Sequence, residues 1–195
     1  MVVPLSGGAL TGPAPFVFGK LPSHGDFVQR GLAASTRDAW DDWASAGLAR
    51  AREALAERFD AVHEQAPSWR FSIGPGPLGP LWRVGALAPS VDRVGRRFLI
   101  VVGADALAPP QAHSGALAEQ MEALIYDAFE GDWDADTLVD AAARTLDDCD
   151  WAATGEAPEG VWIGAVDDGA PRLADVFAPD ALLRMLHPLH FETPS

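Results

Sequence analysis

Between Ser35 and Phe59 the apolar positions Trp40, Trp43, Gly47, Ala51, Leu55 and Phe59 recur at spacings of three and four. That period places them on one face of a long helix. Arg37, Asp41, Asp42, Arg50, Arg52, Glu53 and Glu57 fall mostly elsewhere. Ser35-Thr-Arg-Asp38 reads as a capping box at its start, and the helix is expected to end near Phe59. Ser114 to Phe129 (Leu117, Met121, Leu124, Ile125, Ala128) and Asp134 to Leu146 (Leu138, Val139, Ala142, Leu146) predict two further helices, and Pro179 to Leu186 a short one. Strands are expected at Pro15–Gly19, Ser68–Ile73, Leu81–Leu87, Arg97–Gly103 and Val161–Val166. The fourth is apolar enough to be central in a sheet. Gly74 to Pro80 breaks structure, Pro89 to Gly95 reads as a loop, and Asp167 to Ala170 as a turn. Residues 1–14 read as a loose leader and 15–195 as a single domain. Strands in the middle with helices on either side in sequence predict an α/β fold, a mixed sheet covered on both faces by helices. There is no internal repeat.

A chain of 195 residues can bury a real core. No apolar run approaches the roughly 20 residues of a membrane helix, and the first residues lack the basic and apolar regions of a secretory signal. The single cysteine, Cys149, excludes an internal disulfide and is compatible with a reducing cytoplasm. Asp147, Asp148 and Asp150 around it should raise its pKa, so a catalytic thiolate is not expected there. The net charge of −14 is uneven: residues 1–100 carry 11 basic against 9 acidic side chains, residues 101–195 only 3 against 19. This is either a solvated acidic face or a polarised molecule with different faces for basic and acidic partners. Nucleic-acid binding is disfavoured, because phosphate contacts need clustered basic residues.

The candidate chemistry gathers in Phe18-Gly-Lys-Leu-Pro-Ser-His-Gly-Asp-Phe-Val-Gln-Arg-Gly-Leu32, a loop carrying Lys20, Ser23, His24, Asp26 and Arg30 among three glycines and a proline. Ser23, His24 and Asp26 invite a hydrolase reading. A catalytic triad is a spatial arrangement that adjacent positions rarely supply, and no Gly-x-Ser-x-Gly elbow is present. The plainer role is a turn pinned by side-chain hydrogen bonds to backbone. His24, His63, His113, His187 and His190 form no metal motif, and His187-Pro-Leu-His190 is interrupted by Pro188. Gly74-Pro-Gly-Pro-Leu-Gly79 cannot cradle phosphate, since Pro75 and Pro77 have no N–H. No cofactor is implied.

Asp92, Arg93, Arg96 and Arg97 form a second charged set. Either Asp92 and Asp26 pair with Arg93 or Arg30 and brace two loops, or the arginines dock an acidic or phosphorylated partner. In both cases the two loops are expected to lie together. Of seven tryptophans, Trp82 and Trp162 should be buried in strands. Trp133 and Trp151, flanked by acids, are the ones expected to be exposed and suited to protein contact.

Gly19-Lys-Leu-Pro-Ser-His-Gly-Asp-Phe-Val28 resembles the N-terminal signature of the TagF (ImpM) family of type VI secretion-associated proteins. Trp40 and Trp43, Pro67-Ser-Trp-Arg-Phe71, Gly79-Pro80, and Pro89-Ser-Val-Asp-Arg-Val-Gly-Arg96 before Arg97-Phe-Leu-Ile100 follow in the family's order. The resemblance runs from Phe16 to about Gly103 and thins through the acidic second half. It implies a three-layer α/β/α sandwich. It also implies a non-enzymatic cytoplasmic protein that represses type VI secretion post-translationally by contacting a forkhead-associated (FHA) scaffold protein. Some family members are fused to, or act beside, a protein phosphatase. Two other readings stand beside it: a small hydrolase or transferase using the His24/Asp26 loop, and a structural component of the secretion baseplate.

Overall fold

The computed structural model describes residues 12–107, 114–149, 160–162, 172–173 and 175–187. In chain order these form β1 (Ala14–Gly19), β2 (Val28–Arg30), α1 (Ala34–Leu55), a 3-10 turn (Ala56–Arg58), α2 (Phe59–Gln65), β3 (Trp69–Ile73), β4 (Trp82–Val91) and β5 (Arg97–Ala106). There follow α3 (Ser114–Glu130), α4 (Ala135–Asp147), β6 (Gly160–Trp162), β7 (Arg172–Leu173) and α5 (Ala181–Leu186). The expected strand at Val161–Val166 is described only as far as Trp162. The turn at 167–170, most of the leader, His113, His190 and Trp151 lie outside the described residues.

The strands make one seven-stranded sheet in the order β2-β1-β5-β4-β3-β6-β7. Every pairing is antiparallel, which corrects the expectation of a mixed sheet. The physical reason lies in the connections. β4 reaches β5 through only five residues, 92–96, too few for the crossover that a parallel neighbour requires. β4 is also longer than expected, since Pro89, Ser90 and Val91 continue it and pair with Leu99, Phe98 and Arg97. Pro89 is tolerated because β3 pairs with β4 only as far as Leu87, leaving β4 an edge beyond that point.

Alternate strand residues enter two separate hydrophobic clusters, as the two-residue period of a strand dictates. Phe16, Phe18, Trp69, Phe71, Leu99 and Val101 meet α1 and α5 through Trp40, Leu48, Leu182 and Met185. Val17, Val84, Ala86, Ile100 and Val102 meet α3 and α4 through Leu117, Met121, Ile125 and Leu138. Inside the second layer Arg70 pairs with Glu122 at 2.7 Å, so a buried charge on β3 is met from α3.

The long helix departs from its expected form at both ends. Its N-cap is Ala33, with no side-chain cap, and Ser35 lies within the first turn, so the capping box is not made. The helix stops at Leu55, where Ala56 adopts φ 47°. Phe59 opens α2 instead, with the Arg52 guanidinium 4.7 Å from its ring centre. The buried face is Thr36, Trp40, Ala44, Leu48, Ala51 and Leu55. Trp43 stands at its margin, half-buried, edge-on to Trp40, with Nε1 donating to the Val176 carbonyl at 2.9 Å. Trp69 likewise donates to the Met185 carbonyl at 2.8 Å, so two indoles tie the α5 segment to this layer. Trp162 is buried as expected, Trp82 half-buried, and Trp133 is half-buried against the α3–α4 cluster and not exposed.

Trp40 is 1% exposed and touches Phe16, Trp43 and Phe71. Trp40→Ala should therefore destabilise the protein by about 3–5 kcal/mol, and Trp43→Ala by clearly less. Urea denaturation of both variants checks this; equal losses would show that the helix packs through the Trp43 face.

Candidate functional site

β1 ends at Gly19, whose φ of 128° belongs to glycine, and a Cβ there would lie 2.0 Å from the Leu99 carbonyl oxygen. The close approach lets Lys20 N–H donate to that carbonyl at 2.9 Å and sends the Lys20 side chain inward. On the neighbouring loop Asp92 directly follows β4, its side chain fully buried. The turn closes through Gly95 N–H on Asp92 O at 2.8 Å, with Gly95 at φ 82°. A short Asp-initiated turn folds in this way because the carboxylate satisfies the backbone N–H groups that follow it.

The Asp92 carboxylate accepts four hydrogen bonds. Oδ1 takes Val94 N–H at 3.1 Å and Arg96 N–H at 2.9 Å; Oδ2 takes Lys20 Nζ at 3.0 Å and Arg96 Nε at 2.6 Å. Burial alone would push this carboxyl up. The bonds from the Arg96 N–H, Lys20, the Arg96 guanidinium and the Val94 N–H outweigh it and hold the group well below the ordinary carboxylate range. Arg96 also donates to the Gly25 carbonyl at 2.7 Å, Arg93 N–H to the His24 carbonyl at 2.8 Å, and Ser90 Oγ to the Lys20 carbonyl at 2.7 Å. The Lys20 ammonium sits 5.0 Å from the Phe27 ring centre, and that ring is edge-on to Phe98 at 4.7 Å. The two loops are thus joined through both backbone and charge.

The joining brings Lys20, His24, Arg93 and Arg96 together as expected, but through other pairs than those foreseen. Asp92 binds Lys20 and Arg96, not Arg93 or Arg30. Asp26 reaches no arginine; its carboxylate accepts the Phe27 N–H at 2.8 Å. Arg30 turns to α4 and holds Asp136 with two bonds, 2.5 and 3.1 Å. Arg97 turns to α2, donating to Asp60 at 2.8 Å and lying 3.7 Å from Glu64. Ser23 Oγ donates to the Trp133 carbonyl at 2.7 Å and lies 2.9 Å from His24 Nδ1. The bond from Thr137 N–H holds the Asp134 carboxyl below its ordinary range, and the bond from Arg30 does the same for Asp136. Phe27 was not among the residues singled out from sequence. Its apolar side chain in a polar loop was the available signal.

A cavity of about 520 Å³ opens nearby, where β4 runs on past β3, walled by His63, Pro89, Ser90, Arg97, Tyr126 and Phe129. Pro22 of the motif loop lines it too, but neither His24 nor Asp26 does, so the pair proposed for hydrolysis does not face that space. The reverse arrangement, Asp26 paired with an arginine, is not made either. His63 is fully buried; burial pushes its imidazole down, only partly offset by the 2.7 Å bond from Nε2 to the Phe98 carbonyl. Burial raises the Cys149 thiol, and Asp148 adds to the effect. Among the described residues no three His, Cys, Asp or Glu side chains gather as a metal centre.

The folded Asp92 pKa lies below its unfolded value of about 3.9. Its contribution to stability is therefore complete above that pH and is lost as pH falls towards the folded value. Thermal melts between neutral and acid pH should show the wild type losing Tm below about pH 4 more steeply than Asp92→Asn, which should melt lower at neutral pH. Parallel curves would remove Asp92 from the acid response.

A family model described as the TagF N-terminal domain, type VI secretion system-associated, matches residues 17–145, from within β1 to the last turn of α4, and so contains both loops. The crystal structure of PA0076 from Pseudomonas aeruginosa PAO1 is similar with a TM-score of 0.75 and 25% identity, over 93% of this chain and 98% of that one. No curated protein matches. With two thirds of its length inside that model, the chain belongs to the TagF N-terminal domain family of type VI secretion system-associated proteins.

Proposed function

We propose that this protein is a cytoplasmic, non-enzymatic accessory factor that represses type VI secretion after translation by binding an FHA-domain scaffold protein. A phosphatase acting in the same pathway is a further partner on this reading. The observation that carries it is the use to which the motif loops put their charges. Lys20, Asp92 and Arg96 are engaged with one another, and Arg30 and Arg97 with neighbouring helices. What remains is a shaped surface at the loop tips, an arrangement suited to binding by occlusion. The hydrophobic clusters on opposite faces of the sheet support a three-layer α/β/α reading of the scaffold that presents it.

Overproduction of the wild-type protein in its host should reduce export of type VI effectors without lowering the abundance of the secretion proteins. The tagged protein should retain the FHA scaffold from the same cells. Export unchanged by overproduction would end the regulatory reading. Stoichiometric retention with the assembled machine would replace it with a structural one.

A further inference from the structure

The face where the two loops meet carries more than charge. Phe27 is 47% exposed and Val94 71%, two of the four large hydrophobic side chains exposed among the described residues. Next to Val94 in the chain stands exposed Arg93, whose N–H donates to the His24 carbonyl at 2.8 Å and whose guanidinium has no partner among the described residues. Gly25 adjoins them through its carbonyl, which accepts from Arg96. No described residue lies within 4 Å of where a Gly25 Cβ would be, and its φ is outside the left-handed region. The fold itself therefore does not require glycine at that position, whereas an approaching backbone would. The Asp92–Lys20–Arg96 clamp, with the bonds from the Val94 N–H and to the Gly25 carbonyl and the Arg93 N–H bond to His24, holds the backbone of both loops before any partner arrives, which lowers the entropic cost of docking.

We propose that Gly25, Phe27, Arg93 and Val94 form a docking surface for an acidic protein segment, with one carboxylate clasped by Arg93 and an adjacent apolar side chain laid against Phe27 and Val94. Charge complementarity selects the occupant. Among the described residues of this face the unengaged cation is the Arg93 guanidinium, whose fork matches a carboxylate. Arg96, more than half exposed, is already engaged by Asp92 and the Gly25 carbonyl, and so supplies no second free clasp. The exposed Asp26 would repel a doubly charged phosphate more than a single carboxylate. Arg97, engaged by α2, stands outside the surface.

The proposal deepens the functional reading above, naming the chemistry of the contact with the scaffold, and its test separates the two. Affinity for the purified FHA scaffold would be measured for the wild type, Arg93→Glu, Val94→Asp, Gly25→Trp and Arg97→Ala, with a thermal melt of each. The first three variants should bind at least about tenfold more weakly with unchanged Tm, and Arg97→Ala should bind as the wild type does. Raising the salt concentration should weaken the wild type more than Arg93→Glu. Phosphorylated and dephosphorylated scaffold should bind alike. Undiminished binding by Arg93→Glu and Val94→Asp, or binding only to the phosphorylated scaffold, would overturn the proposal. If the wild type does not bind the scaffold at all, the functional reading fails by itself. The surface is then judged with a synthetic Glu/Leu peptide by amide NMR shifts. Shifts centred on Gly25, Phe27, Arg93 and Val94 sustain it; shifts elsewhere, or none, overturn it.

Discussion

A buried carboxylate must be matched or not be charged, and Asp92 meets that constraint with four donors from two loops. Each donor is delivered by a separate feature. Gly19 lets the chain approach Leu99 closely enough to direct Lys20 inward. Gly95 turns the chain so that the Val94 and Arg96 N–H groups face back towards Asp92. The Arg96 guanidinium adds a charged bond and extends to the first loop through Gly25. Removal of one donor leaves the others around a less compensated charge, so the loops hold their shape together.

The same accounting explains the unequal charge of the two halves. Arginines of the first hundred residues are repeatedly met by acids from the second: Arg30 by Asp136, Arg70 by Glu119 and Glu122, Arg83 by Asp105. Arg83 and Asp105 are register partners on β4 and β5, with Arg83 fully buried, and the pair sits 2.9 Å apart inside the sheet layer. Burial raises the Asp105 carboxyl and lowers the Arg83 guanidinium, while their mutual attraction opposes both shifts. Part of the acidic excess therefore holds α3, α4 and β5 to the strands carrying the arginines. Other acids, such as Asp132 and Asp140, remain exposed on the surface.

The order of strands in the sheet decides which loops can share a surface. An antiparallel sheet whose alternate residues are taken up by two hydrophobic clusters leaves its strand-end loops as the places where chemistry and shape vary. Here the loops after β1 and β4 lie together because β5 separates their strands and pairs with both. A sheet order of β1-β5-β4 brings residues some seventy positions apart into bonding distance, as Lys20 and Asp92 demonstrate.

Much of this was legible in the chain. The periods of Leu117 to Ala128 and Leu138 to Leu146 located α3 and α4, the apolar run from Phe98 to Val102 marked a central strand, and the motif at Gly19–Val28 pointed to the family. These features are local: a helix or strand needs only its own side chains to declare a buried face. The antiparallel direction of every strand pair, the end of α1 at Ala56, the continuation of β4 through Pro89 and the choice of Lys20 over Arg93 or Arg30 for Asp92 were not legible. Each depends on a contact between segments far apart in sequence, and an ionic side chain carries no record of which opposite charge the fold will set beside it. The sequence determined which residues could form buried faces and which charges needed partners. The tertiary structure decided the pairing, because only the order of strands in the sheet fixes which loops share a volume.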